Sequence, residues 1–272
     1  MEIILIASDL DDTLLNSDTQ ISERNVAAIR AALEKGIIFL IATGRMYISA
    51  IKFAERLGLD VPLVTYNGAL VKENISGKIL YENRLNFETA KEILNYCKEK
   101  HRYVQVYVGD EILVDKKGYW TDMYEKISGI KIRIAGDEAY NIQEAPYKLL
   151  AISEEGHFEE MWQEFEEKFG DKIDITSSKD NFLELMEPGI NKWDAVKAVA
   201  AQYGIAPENI MCIGDSNNDM KMIANAGLGV AIGNAKDKVK DCAKIITASN
   251  DEDGVALVIE QILTQQVQVP EE

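Results

Sequence analysis

The chain has 272 residues, 47% of them hydrophobic, enough for a sizeable core in one large domain or two smaller ones. Its 46 acidic against 29 basic residues, a net charge of −17, argue against nucleic acid or an anionic membrane surface as a partner. No apolar run approaches the roughly 18 residues that span a bilayer, and three dispersed cysteines (Cys97, Cys212, Cys242) without a signal sequence predict a reducing, cytoplasmic setting.

The first apolar run, Ile3 to Ala7, reads as a buried strand and ends at Asp9-Leu10-Asp11-Asp12-Thr13. Ser22 is placed to cap a helix whose stripe is Val26, Ile29 and Leu33, with Gly36 as its terminator. Further strands are expected at Ile37–Ala42, ending at Thr43-Gly44, and at Leu63–Tyr66, ending at Asn67-Gly68. A helix is expected between them, from Met46 to Leu57. From about residue 85 the pattern changes. Helices are expected at Phe87–Lys100 and Phe158–Phe169. Tyr103–Val108 and Glu111–Val114 flank Gly109-Asp110, a two-residue hairpin turn. Lys131–Ala135, Lys148–Ser153 and Phe182–Met186 read as half-buried strands, and His101 and His157 fall in polar segments unsuited to a triad or zinc site. The first pattern then returns. Lys192 opens a helix with Trp193, Val196, Val199 and Ala200 on one face, and strands at Ile210–Ile213 and Leu228–Ile232 flank a helix at Met220–Ala226. The polar tail, Gln265 to Glu272, is expected to fray.

Alternating apolar strands and helices predict an α/β fold, a doubly wound parallel sheet covered on both faces. Local hairpins with helices on one side predict an α+β module inserted into it. The expected organisation is a core of residues 1–84 plus 189–272 interrupted by a module at residues 85–188.

In such sheets, ligands bind at the carboxyl ends of the strands. Three of those ends carry Asp9 with Asp11, Thr43, and Asp215 with Asn218 and Asp219; Lys192 lies nearby in the pattern. Buried carboxylates are costly unless paired or bound to a cation, and an all-oxygen set suits a hard divalent ion, Mg²⁺ above all. A hydroxyl, backbone N–H groups and an ammonium suit a phosphate. With no Cys or His placed to compete, the attacking group in a phosphoryl transfer is a carboxylate.

Asp9-Leu10-Asp11-Asp12-Thr13, Ala42-Thr43-Gly44-Arg45, Lys192 and Gly214-Asp215-Ser216-Asn217-Asn218-Asp219 resemble, in order and spacing, the four motifs of the haloacid dehalogenase superfamily. The insertion, with Tyr66-Asn67-Gly68-Ala69 before it and Lys148-Leu149-Leu150-Ala151-Ile152 inside it, is similar to the Cof-type branch with a C2-type cap over a Rossmann-like core. The resemblance implies a Mg²⁺-dependent phosphatase of small phosphate monoesters, such as sugar phosphates. It implies Asp9 as nucleophile and metal ligand. Asp11 would be the acid/base, its carbonyl on the metal. Thr43, Leu10, Gly44 and Asn218 would contact phosphate, and Lys192 would neutralise it. Asp215 would complete the metal site, with Asp219 supporting it from behind or through water. Asp12 stands where the family more commonly has Gly. Arg45 is left between a contact to substrate or cap and a surface ion pair. The same motifs also fit a phosphotransferase or mutase, or a non-catalytic phosphometabolite sensor.

Overall fold

The structure is a computed structural model that describes residues 2–58 and 60–264; the expected fraying of residues 265–272 lies outside them. The chain divides into two compact units, residues 1–82 with 191–272, and residues 83–190.

The first unit holds an eight-stranded sheet. Its strands are β1 (Leu5–Ser8), β2 (Ile38–Ala42), β3 (Pro62–Thr65), β4 (Leu70–Glu73), β5 (Ile79–Glu82), β12 (Ile210–Gly214), β13 (Leu228–Ala231) and β14 (Ile245–Ile246). They run in the order β14-β13-β12-β1-β2-β3-β4-β5. From β14 to β3 every neighbour is parallel. The expected doubly wound α/β core is present, with one addition. Next to β3 the chain turns back as the antiparallel hairpin β4–β5, which the apolar-run pattern did not reveal because its burial is partial and its runs are short. The strand order reverses direction at β1: the chain builds outward through β2 and β3 on one side and through β12 and β13 on the other. That reversal opens a crevice beyond the carboxyl ends of β1 and β12.

Helices cover the sheet. Leu5, Ala7, Leu40, Ala42, Ile210 and Cys212 pack against Trp193, Val196 and Val199 of α6 (Lys192–Gln202) and Met222 of α7 (Met220–Asn225). Alternation sends the equally buried Ile6, Phe39 and Ile41 to the opposite face. There α1 (Glu23–Glu34), which contacts β2, packs with α9 (Gly254–Leu263). Ser22 caps α1, its side chain accepting from the Asn25 N–H. Shorter helices α2 (Tyr47–Glu55) and α8 (Asp237–Lys240) complete the unit.

The second unit is a six-stranded sheet of β6 (Val104–Val108), β7 (Glu111–Val114), β8 (Arg133–Ile134), β9 (Lys148–Ile152), β10 (Asp174–Lys179) and β11 (Phe182–Met186), ordered β10-β11-β9-β6-β7-β8. It carries α3 (Phe87–Glu99), α4 (Tyr119–Ser128) and α5 (Phe158–Phe169). Val104, Val106, Leu149, Ala151, Leu183 and Leu185 meet Ile93 and Leu94 of α3 and Phe165 and Phe169 of α5 in one apolar cluster. The alternate positions mix buried apolar residues (Leu150, Ile152, Phe182, Met186) with paired polar ones: Lys148 Nζ pairs with Glu184 Oε2 at 3.2 Å, and Tyr107 OH donates to Gln105 Oε1 at 2.9 Å. The expectation of a half-buried strand at Lys131–Ala135 is corrected. Only Arg133–Ile134 is extended, both residues are exposed, and β8 pairs parallel to β7 at the sheet's edge.

Candidate active site

Asp9 is fixed by the ladder it follows. Its N–H donates to the Ile213 carbonyl at 2.9 Å, one step beyond the β1–β12 pairing. The chain then tightens into a single wide turn over Leu10–Leu14, closed by the Leu15 N–H donating to the Leu10 carbonyl at 2.8 Å. The turn requires Asp12 at φ +54°, in the left-handed region where glycine is at ease and Asp is tolerated. Two asparagines tie it from behind: Asn234 Nδ2 donates to the Asp12 carbonyl at 2.7 Å, and Asn250 Nδ2 to the Leu15 carbonyl at 2.9 Å.

Lys192 is the first residue of α6. Asn191 caps the helix, its Oδ1 accepting from the Asp194 N–H at 3.0 Å. The helix start can come this close because residue 68 is glycine. A Cβ there would sit 2.4 Å from the Asn191 carbonyl oxygen, and its φ of +115° suits no other residue. Buried completely, the Lys192 ammonium lies 2.5 Å from Asp9 Oδ1 and 2.7 Å from Asp219 Oδ1.

Asp219 folds back under the loop that leaves β12. Its Oδ2 accepts from the N–H groups of Asp215 at 3.1 Å and Ser216 at 3.0 Å. Gly214 permits this, since a Cβ at that position would lie 2.5 Å from Asp219 Cγ. Asp215 is half-buried and accepts from Thr13 Oγ1 at 3.3 Å. Asp9, Asp215 and Asp219 each offer a carboxylate oxygen, all within 4.8 Å of one another.

The loop after β2 forms the neighbouring wall. Thr43 is buried; its N–H donates to the Val64 carbonyl at 2.8 Å and its Oγ1 accepts from the Arg45 N–H at 3.1 Å. Tyr66 and Asn67, both at positive φ, hold the next corner, the Tyr66 N–H donating to the Arg45 carbonyl and the Asn67 N–H to the Thr43 carbonyl. Gly44 lies against Asn67 Oδ1, which accepts from Asn218 Nδ2 at 2.9 Å. The Asp11 carboxylate is gripped by Arg45, Nη2 to Oδ1 at 2.5 Å and Nε to Oδ2 at 2.8 Å.

The carboxylates therefore gather around one ammonium. Burial pushes the Asp9 carboxyl well above its ordinary range; Lys192 pulls it down, and Asp219 and Asp215 push it up again. Burial also raises Asp215, to about 6, with Asp219 and Asp12 adding to the rise and Lys192 opposing it. For Lys192, burial alone would depress the ammonium, but Asp219 and Asp9 hold it above its ordinary value. One ammonium does not balance three carboxylates. All the donors are hard oxygens, so the group fits a hard divalent cation.

Of the residues singled out in the sequence, Asp9, Lys192, Asp215 and Asp219 share this cluster. Asn218 and Gly44 meet at Asn67, Thr43 is bonded to Arg45, and Leu10 opens the turn. Arg45, left undecided by the sequence, is bound to Asp11. Thr13, Asn67 and Asn234 received no role from sequence alone. The strand-end positions of Asn67-Gly68 and Gly233-Asn234 and the place of Thr13 in the first motif hinted at theirs.

A family model described as haloacid dehalogenase-like hydrolase matches residues 6–259. A Bacillus subtilis 5-amino-6-(5-phospho-D-ribitylamino)uracil phosphatase is 34% identical over 261 residues, 95% of each chain. A second B. subtilis phosphatase of that name is 32% identical over 286 residues, covering 96% of this chain and 98% of its own. The crystal structure of a haloacid dehalogenase-like hydrolase from Bacteroides thetaiotaomicron superposes with a TM-score of 0.88 at 32% identity, covering 96% of this chain and 100% of that one. Among the described residues no helix is long and apolar enough to cross a membrane. In sequence and in fold, across nearly its whole length, the chain belongs to the haloacid dehalogenase-like hydrolases, and within them it is a phosphatase.

Proposed function

We propose that the enzyme hydrolyses small phosphate monoesters, of the sugar-phosphate kind, through a phosphoryl group carried on Asp9. The observation that supports this most is the Asp9–Lys192 pair at the mouth of β1, with Asp215 and Asp219 beside it. The phospho-ribityl substrate named for two relatives supports the ester class. Residues 85–188 are assigned the choice of ester.

Asp9 and Asp215, with the Asp11 carbonyl, are the groups that would hold a divalent cation, with Asp219 supporting them from behind or through water, and Mg²⁺ suits their hardness. When bound, it would supply the positive charge that favours ionised Asp9 and offsets repulsion between carboxylate and phosphate.

Lys192 holds Asp9 Oδ1 and leaves Oδ2 to attack phosphorus. The P–O bond to the leaving group breaks as the new Asp9 Oδ2–P bond forms, giving an acyl phosphate, and the departing oxygen takes a proton from the Asp11 carboxyl. Thr43 Oγ1, the N–H groups of Leu10 and Gly44, and Asn218 bind the phosphoryl oxygens. Asp11, now ionised, accepts a proton from water, whose oxygen attacks phosphorus; the acyl phosphate breaks, releasing inorganic phosphate and the free Asp9 carboxylate.

Steady-state hydrolysis of p-nitrophenyl phosphate with Mg²⁺ tests the assignment. Asp9→Asn is expected to lose at least about 10³-fold in kcat; wild-type turnover by that variant overturns it.

A further inference from the structure

We propose that Arg45 is the positioning residue for Asp11: from the loop ahead of α2 it fixes the carboxylate, so that proton delivery to the leaving group depends on Arg45, which acts only through Asp11. The inference rests on the acid/base role of Asp11 given above and adds to it the group that sets where the Asp11 carboxyl points.

The geometry is that of a fork meeting a carboxylate. Nη2 lies 2.5 Å from Oδ1 and Nε 2.8 Å from Oδ2, so both carboxylate oxygens are held and the plane of the group is set. Asp11 needs this help. It sits in a tight turn with its side chain 45% exposed, and no neighbour other than Arg45 is seen to hold its carboxylate among the described residues. An exposed single ion pair contributes little to stability, so the value of this one lies in orientation.

Arg45 is anchored at both ends. Its N–H donates to Thr43 Oγ1 at 3.1 Å, and its carbonyl accepts from the Tyr66 N–H at 2.9 Å, which ties its backbone to the loops after β2 and β3. Its guanidinium lies over the Phe53 ring, 5.1 Å from the centroid, and Nη1 is 3.5 Å from Ser49 Oγ. Ser49 and Phe53 are both on α2, so a helix outside the cluster sets where the Asp11 carboxylate points.

Proton donation matters for an alkoxide leaving group and hardly at all for p-nitrophenolate, which leaves without a proton. The test is kcat/KM, which reports the steps up to release of that group, on glycerol 2-phosphate and on p-nitrophenyl phosphate. It is measured for Arg45→Ala, Arg45→Lys, Asp11→Asn and the double variant Asp11→Asn/Arg45→Ala, with thermal unfolding confirming each fold. The expected result is a loss of about 10²-fold for Arg45→Ala on glycerol 2-phosphate, with less than about threefold on p-nitrophenyl phosphate. Arg45→Lys, which keeps the charge but not the fork, is expected to restore only part of the loss. The double variant should be no worse than Asp11→Asn. If Arg45→Ala loses equally on both esters, or on neither, while Asp11→Asn remains selective for the alkyl ester, the positioning role is overturned and the Asp11 assignment stands. If Asp11→Asn itself shows no selectivity, the acid/base reading fails, and the inference with it.

Discussion

Lys192 and Asp9 meet at 2.5 Å with the lysine side chain wholly buried, and the same ammonium reaches Asp219 at 2.7 Å. Removing the cation leaves two carboxylates buried without their partner. Lys192→Met is therefore expected to cost about 3–5 kcal/mol in unfolding free energy, the range for breaking a buried pair from one side. Turnover should fall with it, because Asp9 then has a stronger tendency to hold a proton. Denaturant titration and steady-state kinetics check both. A variant as stable as the wild type would mean the lysine is not offsetting that charge.

Asp215 gives the metal-free protein a pH signature. Its folded value is raised to about 6, chiefly by burial, above that of an ordinary carboxyl. The folded state therefore holds this proton more tightly than the unfolded one, and the group penalises folding most above pH 6. The penalty fades as pH falls from about 6 toward 4, so the melting temperature in chelator should gain from this group across that window. Asp215→Asn should remove the gain. Asp12→Gly should move the window downward, since Asp12 is one of the charges that raise Asp215. Saturating Mg²⁺ at pH 7.5 should raise the melting temperature, by a free energy of about 2.7 kcal/mol at 100 times Kd.

Gly68→Ala tests how α6 is seated. A Cβ at 2.4 Å from the Asn191 oxygen cannot be accommodated, and φ +115° is strained for alanine. We expect a loss of at least about 2 kcal/mol, with displacement of the helix start that carries Lys192 and a parallel fall in activity. Unchanged stability would contradict the close approach.

In the second unit, Lys148 and Glu184 form an ion pair with side chains 6% and 8% exposed. Lys148→Met alone should cost about 3–5 kcal/mol, while Lys148→Met with Glu184→Leu should recover most of it, because no charge is then stranded. Unfolding of the two single variants and the double variant measures the coupling.

The parallel core was legible because β1, β2 and β12 are continuous apolar runs, each ending in a polar or small residue, a pattern that only double-sided burial produces. The β4–β5 hairpin was not, because Leu70–Glu73 and Ile79–Glu82 are short and only partly buried. Helix α4 was also missed, although Trp120, Met123, Tyr124 and Ile127 recur at helical spacing; of its residues only Thr121 is fully buried. At the site, residue types named the chemistry while tertiary contacts distributed the partners. Nothing in Thr43-Gly44-Arg45 says that the guanidinium grips Asp11, or in Tyr66-Asn67-Gly68 that two residues at positive φ brace Thr43 and receive Asn218. Those links join segments far apart in the chain, and local periodicity carries no record of them.

The central claim is that phosphorus is transferred to Asp9. Acid quench of the Mg²⁺ enzyme during turnover of a ³²P-labelled ester, followed by peptide mapping, tests it most directly. The account predicts hydroxylamine-labile label on the peptide containing Asp9, absent in Asp9→Asn. Label that resists hydroxylamine, lies on another residue, or fails to appear under conditions where phosphate is released in a burst would contradict it.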